Sequence, residues 1–230
     1  MFVEFIGLPG VGKSHVCGRL AEKVAATPRA DVMIWLTVDH EIGLGSQLAK
    51  LARAIRFSLC HPIVSWRILG WVMKTDQESV FGFVTKLTNL FSELDISDRR
   101  KGPLAKDQSV LQAVWSLMLR SSRKENWREL LVLLKPWLPE MVVHVVVNRA
   151  EYMRRLATRN VGHSLFDRLE EDCLESELDR GEALLRTLFE DWKRVVARKK
   201  DFRVDNELDA DLNQVLTPFV DILAEPGCVQ

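Results

Sequence analysis

The period of the apolar positions changes several times along the chain, and each change marks an element. Phe2–Ile6 alternates and then runs apolar, which predicts a short strand ending at a glycine loop. From Ser14 to Ala26, Val16, Leu20 and Val24 fall on one face of a helix, with Pro28 beyond its end. Val32–Val38 is an apolar run of the kind a parallel strand covered on both faces requires. From Ile42 to Ser97 the pattern is helical. It is clearest over Gln77–Leu94, where Val80, Phe81, Val84, Leu87, Leu90, Phe91 and Leu94 recur at helical spacing.

A short third strand is expected within Gly102–Ala105, followed by helices over Val110–Arg120 and Glu125–Lys135. Met141–Val147 is the plainest strand of the chain. Ala150–Asn160 returns to helical spacing, and Leu165–Lys199 reads as one long charged helix or two. Phe202–Val204 suits a last short strand, and Asp209–Leu223 an amphipathic helix. Strands alternating with helices predict an α/β fold with a parallel sheet and right-handed crossovers. Residues 42–98 are too long for one crossover and read as a helical insertion covering a substrate, within a single domain of residues 1–230.

Composition narrows the function classes. Lys+Arg and Asp+Glu both number 32, so the formal net charge is zero and the footprint of a stable nucleic-acid binder is missing. The four cysteines, Cys17, Cys60, Cys173 and Cys228, are scattered, with no ligand cluster, and fit a reduced cytoplasmic compartment. Residues 2–7 run straight into the glycine loop, so no signal peptide is expected. Ile55–Met73 is interrupted by Arg56, His61, Pro62 and Arg67, and falls short of the roughly 20 apolar residues a membrane span needs.

The chemistry begins at Gly7-Leu8-Pro9-Gly10-Val11-Gly12-Lys13-Ser14, with His15 next in the helix. In this spacing the glycines let backbone N–H groups wrap phosphate oxygens, and the following helix adds its N-terminal dipole. The lysine reaches the β- and γ-phosphates and the serine hydroxyl ligates Mg²⁺. The loop follows a strand and opens a helix, as that mechanism demands. A nucleoside triphosphate such as ATP, with Mg²⁺, is the expected ligand. The fold expected is therefore a three-layer P-loop NTPase with a five-stranded parallel sheet flanked by helices.

Four later groups narrow the class. Asp39-His40-Glu41 follows the second strand, and Asp107-Gln108-Ser109 precedes the helix from Val110. Arg154-Arg155-Leu156-Ala157-Thr158-Arg159 follows the strand Met141–Val147, then Gly162 and Asp167-Arg168-Leu169-Glu170. Val204-Asp205-Asn206 ends the last strand. Together with the loop, this order resembles the thymidylate kinase and deoxynucleoside kinase family across most of the chain.

The resemblance implies that Asp39 or Glu41 engages the hydroxyl of a phosphate acceptor and that Asp107 holds Mg²⁺ through water. It implies that Arg155 and Arg159, in a lid over residues 150–170, close on the triphosphate, and that Asn206 lies near the adenine. Each group also has an ordinary reading. Asp39 and Glu41 suit an acidic loop, Asp107-Gln108-Ser109 a helix N-cap, and the arginines a solvated helix face. Gln108 departs from the family's arginine, which leaves the acceptor open between a nucleoside, a nucleotide and something bulkier. The sequence contains no Asn/Thr-Lys-x-Asp guanine-reading run and no Walker B acidic run of the motor ATPases.

In the insertion, Phe57, Trp66, Trp71, Phe81, Phe83 and Phe91 suit helix packing or stacking on a base. Arg53, Arg56 and Arg67 suit solvent or a phosphate. The same helices suit a homodimer interface. Two functions remain from the sequence: an ATP-dependent phosphotransferase acting on a small-molecule acceptor, and an NTP-binding regulatory or assembly protein without transfer activity.

Overall fold

The computed structural model describes residues 1–25, 35–37, 44–77, 79–102, 104–122, 126–158, 166, 169, 171–197 and 200–206. Asp39, His40, Glu41, Arg159, Gly162, Asp167, Arg168 and the stretch Asp209–Leu223 lie outside these residues.

Strand β1 (Phe2–Ile6) leads through the glycine loop into α1 (Lys13–Ala25), and β2 (Trp35–Thr37) follows. Helices α2 (Leu44–Cys60), α3 (Pro62–Met73) and α4 (Val80–Asp98) precede β3 (Leu104–Lys106). Then come α5 (Val110–Leu119), α6 (Trp127–Leu134), a 3₁₀ turn at Lys135–Trp137 and β4 (Met141–Val146). Helices α7 (Arg149–Thr158) and α8 (Glu171–Val195) lead to β5 (Lys200–Asp205).

These strands form one parallel sheet in the order β2-β3-β1-β4-β5, with Val3 beside Ala105 on one side and Met141 on the other. β1 is buried along its whole length, as the central strand of a covered sheet must be. The chain leaves β1 toward β2 and β3 on one side and returns to β4 and β5 on the other. A crevice therefore opens beyond the strand ends next to β1, which is where ligands bind in sheets of this type.

Strand β5 is longer than the expected Phe202–Val204, and α4 begins later than its apolar period. Helix α4 starts at Val80, three residues after Gln77, because Asp76 adopts a left-handed backbone (φ 51°) and Ser79 caps the helix, accepting a bond from Gly82 N at 3.0 Å. Gln77 instead pairs with Ser121 and donates to Leu117 O at 3.2 Å. Among the described residues of 165–199 there is a single α-helix, α8, whose Trp192 is buried and donates to Pro139 O at 3.0 Å.

The helices of residues 44–98 are fastened to the core. Arg53 and Arg56, read as solvated or phosphate-binding, bond to α4 instead: Arg53 Nε to Ser92 Oγ at 2.9 Å and Arg56 Nε to Asp95 Oδ1 at 2.8 Å. Phe57 packs on Phe91 and edge-on to Trp137, while Trp71 meets Trp127 with ring centroids 4.7 Å apart. Those aromatics therefore serve packing. Among the described residues, no helix is long and apolar enough to cross a membrane.

Candidate functional site

The glycine loop takes its shape from two backbone angles that other residues rarely adopt, Gly10 at φ 95° and Gly12 at φ 89°. Gly12 is also confined from outside. A Cβ there would lie 2.2 Å from Asn206 Nδ2 and 3.3 Å from Arg155 Nη1. Lys13 is buried and donates to the carbonyls of Gly7 at 2.9 Å and Leu8 at 3.0 Å, lying back along the loop. Ser14 Oγ donates to Asp107 Oδ2 at 2.5 Å, so the start of α1 and the loop after β3 share one polar contact.

Behind the loop lies a brace. Arg155 donates through Nη1 to Val11 O at 3.0 Å, through Nη2 to Asn206 O at 2.7 Å and through Nε to Glu151 Oε1 at 2.7 Å. Asn206 is buried, and its amide also donates to Val11 O, at 2.7 Å. Tyr152 donates to Pro9 O at 2.9 Å. Arg154 and Arg155 hold the Glu151 carboxyl down at about 2, keeping it ionised as the arginines' anchor. Arg155 and Asn206, which the family resemblance assigned to the triphosphate and the adenine, here hold the back of the loop. Val11, a loop position from the sequence, is where both attach.

Glu4 belongs to none of the sequence motifs, although an acidic residue inside the strand Phe2–Ile6 interrupts the apolar pattern. It is fully buried and faces the start of α5. There its carboxylate accepts bonds from the N–H groups of Ser109 at 3.0 Å, Leu111 at 3.0 Å and Gln112 at 2.8 Å. Glu4 therefore caps α5, and the Ser109 hydroxyl is released to donate to Glu93 Oε2 at 3.0 Å. Glu93 also receives the fully buried Lys106 ammonium at 2.7 Å. Burial pushes the Glu4 carboxyl up to about 7 and Glu93 adds to it, against the three backbone donors. Gln112 closes the circuit by accepting from Gly7 N at 3.4 Å.

The loop opens onto a cleft of about 640 Å³. Pro9, Gly10, Gly12, Lys13 and Ser14 form one wall, and Thr85, Lys86 and Asn89 of α4 form another. Gln108, Gln112, Trp115 and Arg120 complete it from α5 and its ends. Lys86, Asn89, Gln108 and Gln112 continue into a smaller adjoining cavity that also reaches Lys50 and Glu93. The tertiary structure thus brings Lys13, Ser14, Asp107 and Gln108 together, and adds Lys86 and Asn89 from α4. His15 is exposed on α1 and does not line the cleft. Cys17, on the buried side of α1, has its thiol pushed up to about 12 by burial and then by Asp107, and is inert.

No family model matches the sequence, and no curated protein matches it. Solved structures match it throughout. A deoxyadenosine kinase from M. mycoides with bound dATP aligns with a TM-score of 0.53 at 15% identity, covering 96% of this chain and 100% of that one. A thymidylate kinase from Candida albicans aligns with a TM-score of 0.50 at 13% identity, covering 96% of this chain and 90% of that one. The chain has a P-loop nucleoside/nucleotide kinase-like fold. At these identities the likeness concerns the fold, and the chemistry has to be argued from the residues around the loop.

Proposed function

We propose that the chain is an ATP-dependent phosphotransferase of the nucleoside/nucleotide kinase type, moving the γ-phosphoryl group to a hydroxyl or phosphate of a small-molecule acceptor. The observation that carries this reading is the continuity of the cleft. It runs from Lys13 and Ser14, where a triphosphate would end, to Lys86, Asn89 and Gln108, which have polar groups for a second substrate.

In this reading the loop N–H groups and the α1 dipole bind the phosphates, and Lys13 swings from the Gly7 and Leu8 carbonyls onto the β- and γ-oxygens. Ser14 and Asp107 supply two adjoining oxygens, the donor set a hard cation takes, so they would hold Mg²⁺. Bound there, Mg²⁺ would neutralise charge on the phosphate oxygens. Asp39 or Glu41 accepts the acceptor's proton as its oxygen forms the new bond to phosphorus and ADP leaves. Arg155 keeps the loop closed through Val11, and Arg159 serves as the lid arginine over the transferred charge.

The test is transfer of the radiolabelled γ-phosphate of ATP to a panel of nucleosides, nucleotides and sugars, with Lys13→Ala as control. Wild type should label at least one acceptor, and the variant none. Wild type that binds ATP with Mg²⁺ yet labels nothing overturns the proposal. It would then favour an NTP-binding regulatory or assembly protein, the reading that Gln108, standing where the family has arginine, supports.

A further inference from the structure

Behind the glycine loop lies a second cavity, of about 360 Å³, whose lining among the described residues shares none with the cleft. The loop is pressed against its neighbours on either side of this space. At its root, a Cβ on Gly7 would lie 2.4 Å from Val145 O of β4. A Cβ on Gly181 of α8 would lie 3.1 Å from Leu8 Cδ2. One turn after Gly181, Leu185 and Arg186 line the cavity, with Leu8 and Val11 from the loop, His144 and Val145 from β4 and Tyr152 from α7.

The lining has two chemistries. Leu8, Val11, Val145 and Leu185 are buried and apolar. Burial holds the His144 imidazole down at about 4, and Arg203 adds to this, so at neutral pH it brings a ring without a charge. Three guanidinium groups, Arg149, Arg186 and Arg203, come to the same cavity from α7, α8 and β5. Their ion pairs are long and open to water: Arg149 to Asp179 at 3.5 Å, Arg186 to Glu182 at 3.7 Å and Arg203 to Asp205 at 3.3 Å. Of those carboxylates only Glu182 lines the cavity. Such exposed pairs hold little and can yield to a ligand that takes two N–H bonds from one guanidinium.

We propose that this cavity is an effector site for a small organic acid with an apolar, ring-sized body, and that its occupant tightens nucleotide binding by the loop. An apolar interior with a few polar groups is what small-molecule sites present, and the volume lies within their range of roughly 300–1,000 Å³. The body would lie against Leu8, Val11 and Leu185, with the carboxylate at Arg186 and Arg203. The loop is already held from behind, by Arg155 and Asn206 on Val11 O and by Tyr152 on Pro9 O. An occupant that touches Leu8 and Val11 favours the loop shape in which those side chains complete the wall. It shifts the loop toward that shape by its differential affinity, and the coupling to nucleotide is reciprocal. The proposal goes beyond the phosphotransferase reading and needs only that the loop binds ATP, so a chain that transfers nothing leaves it standing.

The test is calorimetric titration of the full chain with 2-naphthoate, a ring body with a carboxylate and no phosphate for the loop. Wild type is compared with Arg186→Glu, Arg203→Glu and a control, Arg194→Glu, which is exposed on α8 outside the cavity. Wild type and control should bind with a Kd of about 1 mM or tighter. Arg186→Glu and Arg203→Glu should bind at least about tenfold more weakly, with unchanged circular dichroism, since both side chains are exposed. At saturating 2-naphthoate, ATP with Mg²⁺ should bind wild type about fivefold more tightly or better, and Arg203→Glu without that gain. Wild type that does not bind 2-naphthoate overturns the proposal, and so do arginine variants that bind it like wild type. A third overturning result is an ATP affinity that saturating 2-naphthoate leaves unchanged or lowers.

Discussion

Ser14 Oγ donates to Asp107 Oδ2 at 2.5 Å across 93 positions of sequence, tying the first turn of α1 to the loop after β3. The pair places a hydroxyl and a carboxylate where a metal on a bound triphosphate would sit. Asp107→Asn keeps the shape and removes the charge. The expected outcome is ATP affinity in the presence of Mg²⁺ lowered about tenfold or more, with affinity in excess chelator nearly unchanged, as a charge-assisted contact implies. Calorimetric titration with and without Mg²⁺ measures it.

Gly12 and Gly18 make a contrasting pair. Gly12→Ala meets Asn206 Nδ2 at 2.2 Å in a left-handed backbone, so the loop must deform. Nucleotide binding should be lost, and stability should fall by about 1–3 kcal/mol. Gly18 sits within α1 with nothing within 4 Å of an added Cβ. Gly18→Ala should raise the unfolding midpoint, by up to about 1 kcal/mol of stability, and leave nucleotide binding intact. Thermal melts with and without ATP separate the two.

Glu4 predicts a pH dependence with a defined sign. Its carboxyl is raised to about 7 in the fold from an ordinary value of 4.5. The unfolded chain thus gives up this proton more readily than the folded one. The contribution is fully present below pH 4.5 and is lost as pH rises through 7. Wild-type stability should therefore decline over this window by more than that of Glu4→Gln, which carries no such proton. Denaturant unfolding at pH 4.5 and 7.5 gives the comparison; equal slopes for the two proteins would remove the argument.

Lys106 is fully buried with its ammonium 2.7 Å from Glu93. Lys106→Met strands the Glu93 charge and should cost about 3–5 kcal/mol. Pairing it with Glu93→Leu should recover most of that loss, because an apolar pair of similar volume needs no compensating charge. Denaturant midpoints of the two single variants and the double variant decide it.

Much of the fold was legible along the chain because its signals are local. The glycine loop announces itself through Gly10, Gly12, Lys13 and Ser14, whose spacing is dictated by the phosphate they wrap. β1 and β4 read clearly because both faces of each are covered, which demands an unbroken apolar run. α4 starts at Val80 and not at Gln77 because a left-handed Asp76 and the Ser79 cap set its first turn.

The site was legible only in part, since its partners are set by contacts between distant segments. Only the family resemblance puts Ser14 and Asp107 at one Mg²⁺, and nothing in the acidic residue of β1 indicates the α5 N-terminus. Arg155 and Asn206 carry polar groups suited equally to a nucleotide and to a loop carbonyl. Only the packing of α7 and β5 behind Val11 directs them to the loop.

By itself, then, the sequence determined the parallel sheet, the phosphate loop and the helical character of residues 44–98, because periodicity and glycine spacing are local properties of the chain. Tertiary structure alone decided that Glu4 caps α5 and that Arg53 and Arg56 turn inward to α4. It also decided that the cleft is walled by Lys86, Asn89 and Gln108 and that a second cavity lies behind Leu8 and Val11. Those outcomes depend on which faces meet when the elements pack, and periodicity shows that a helix has an apolar face without showing what covers it.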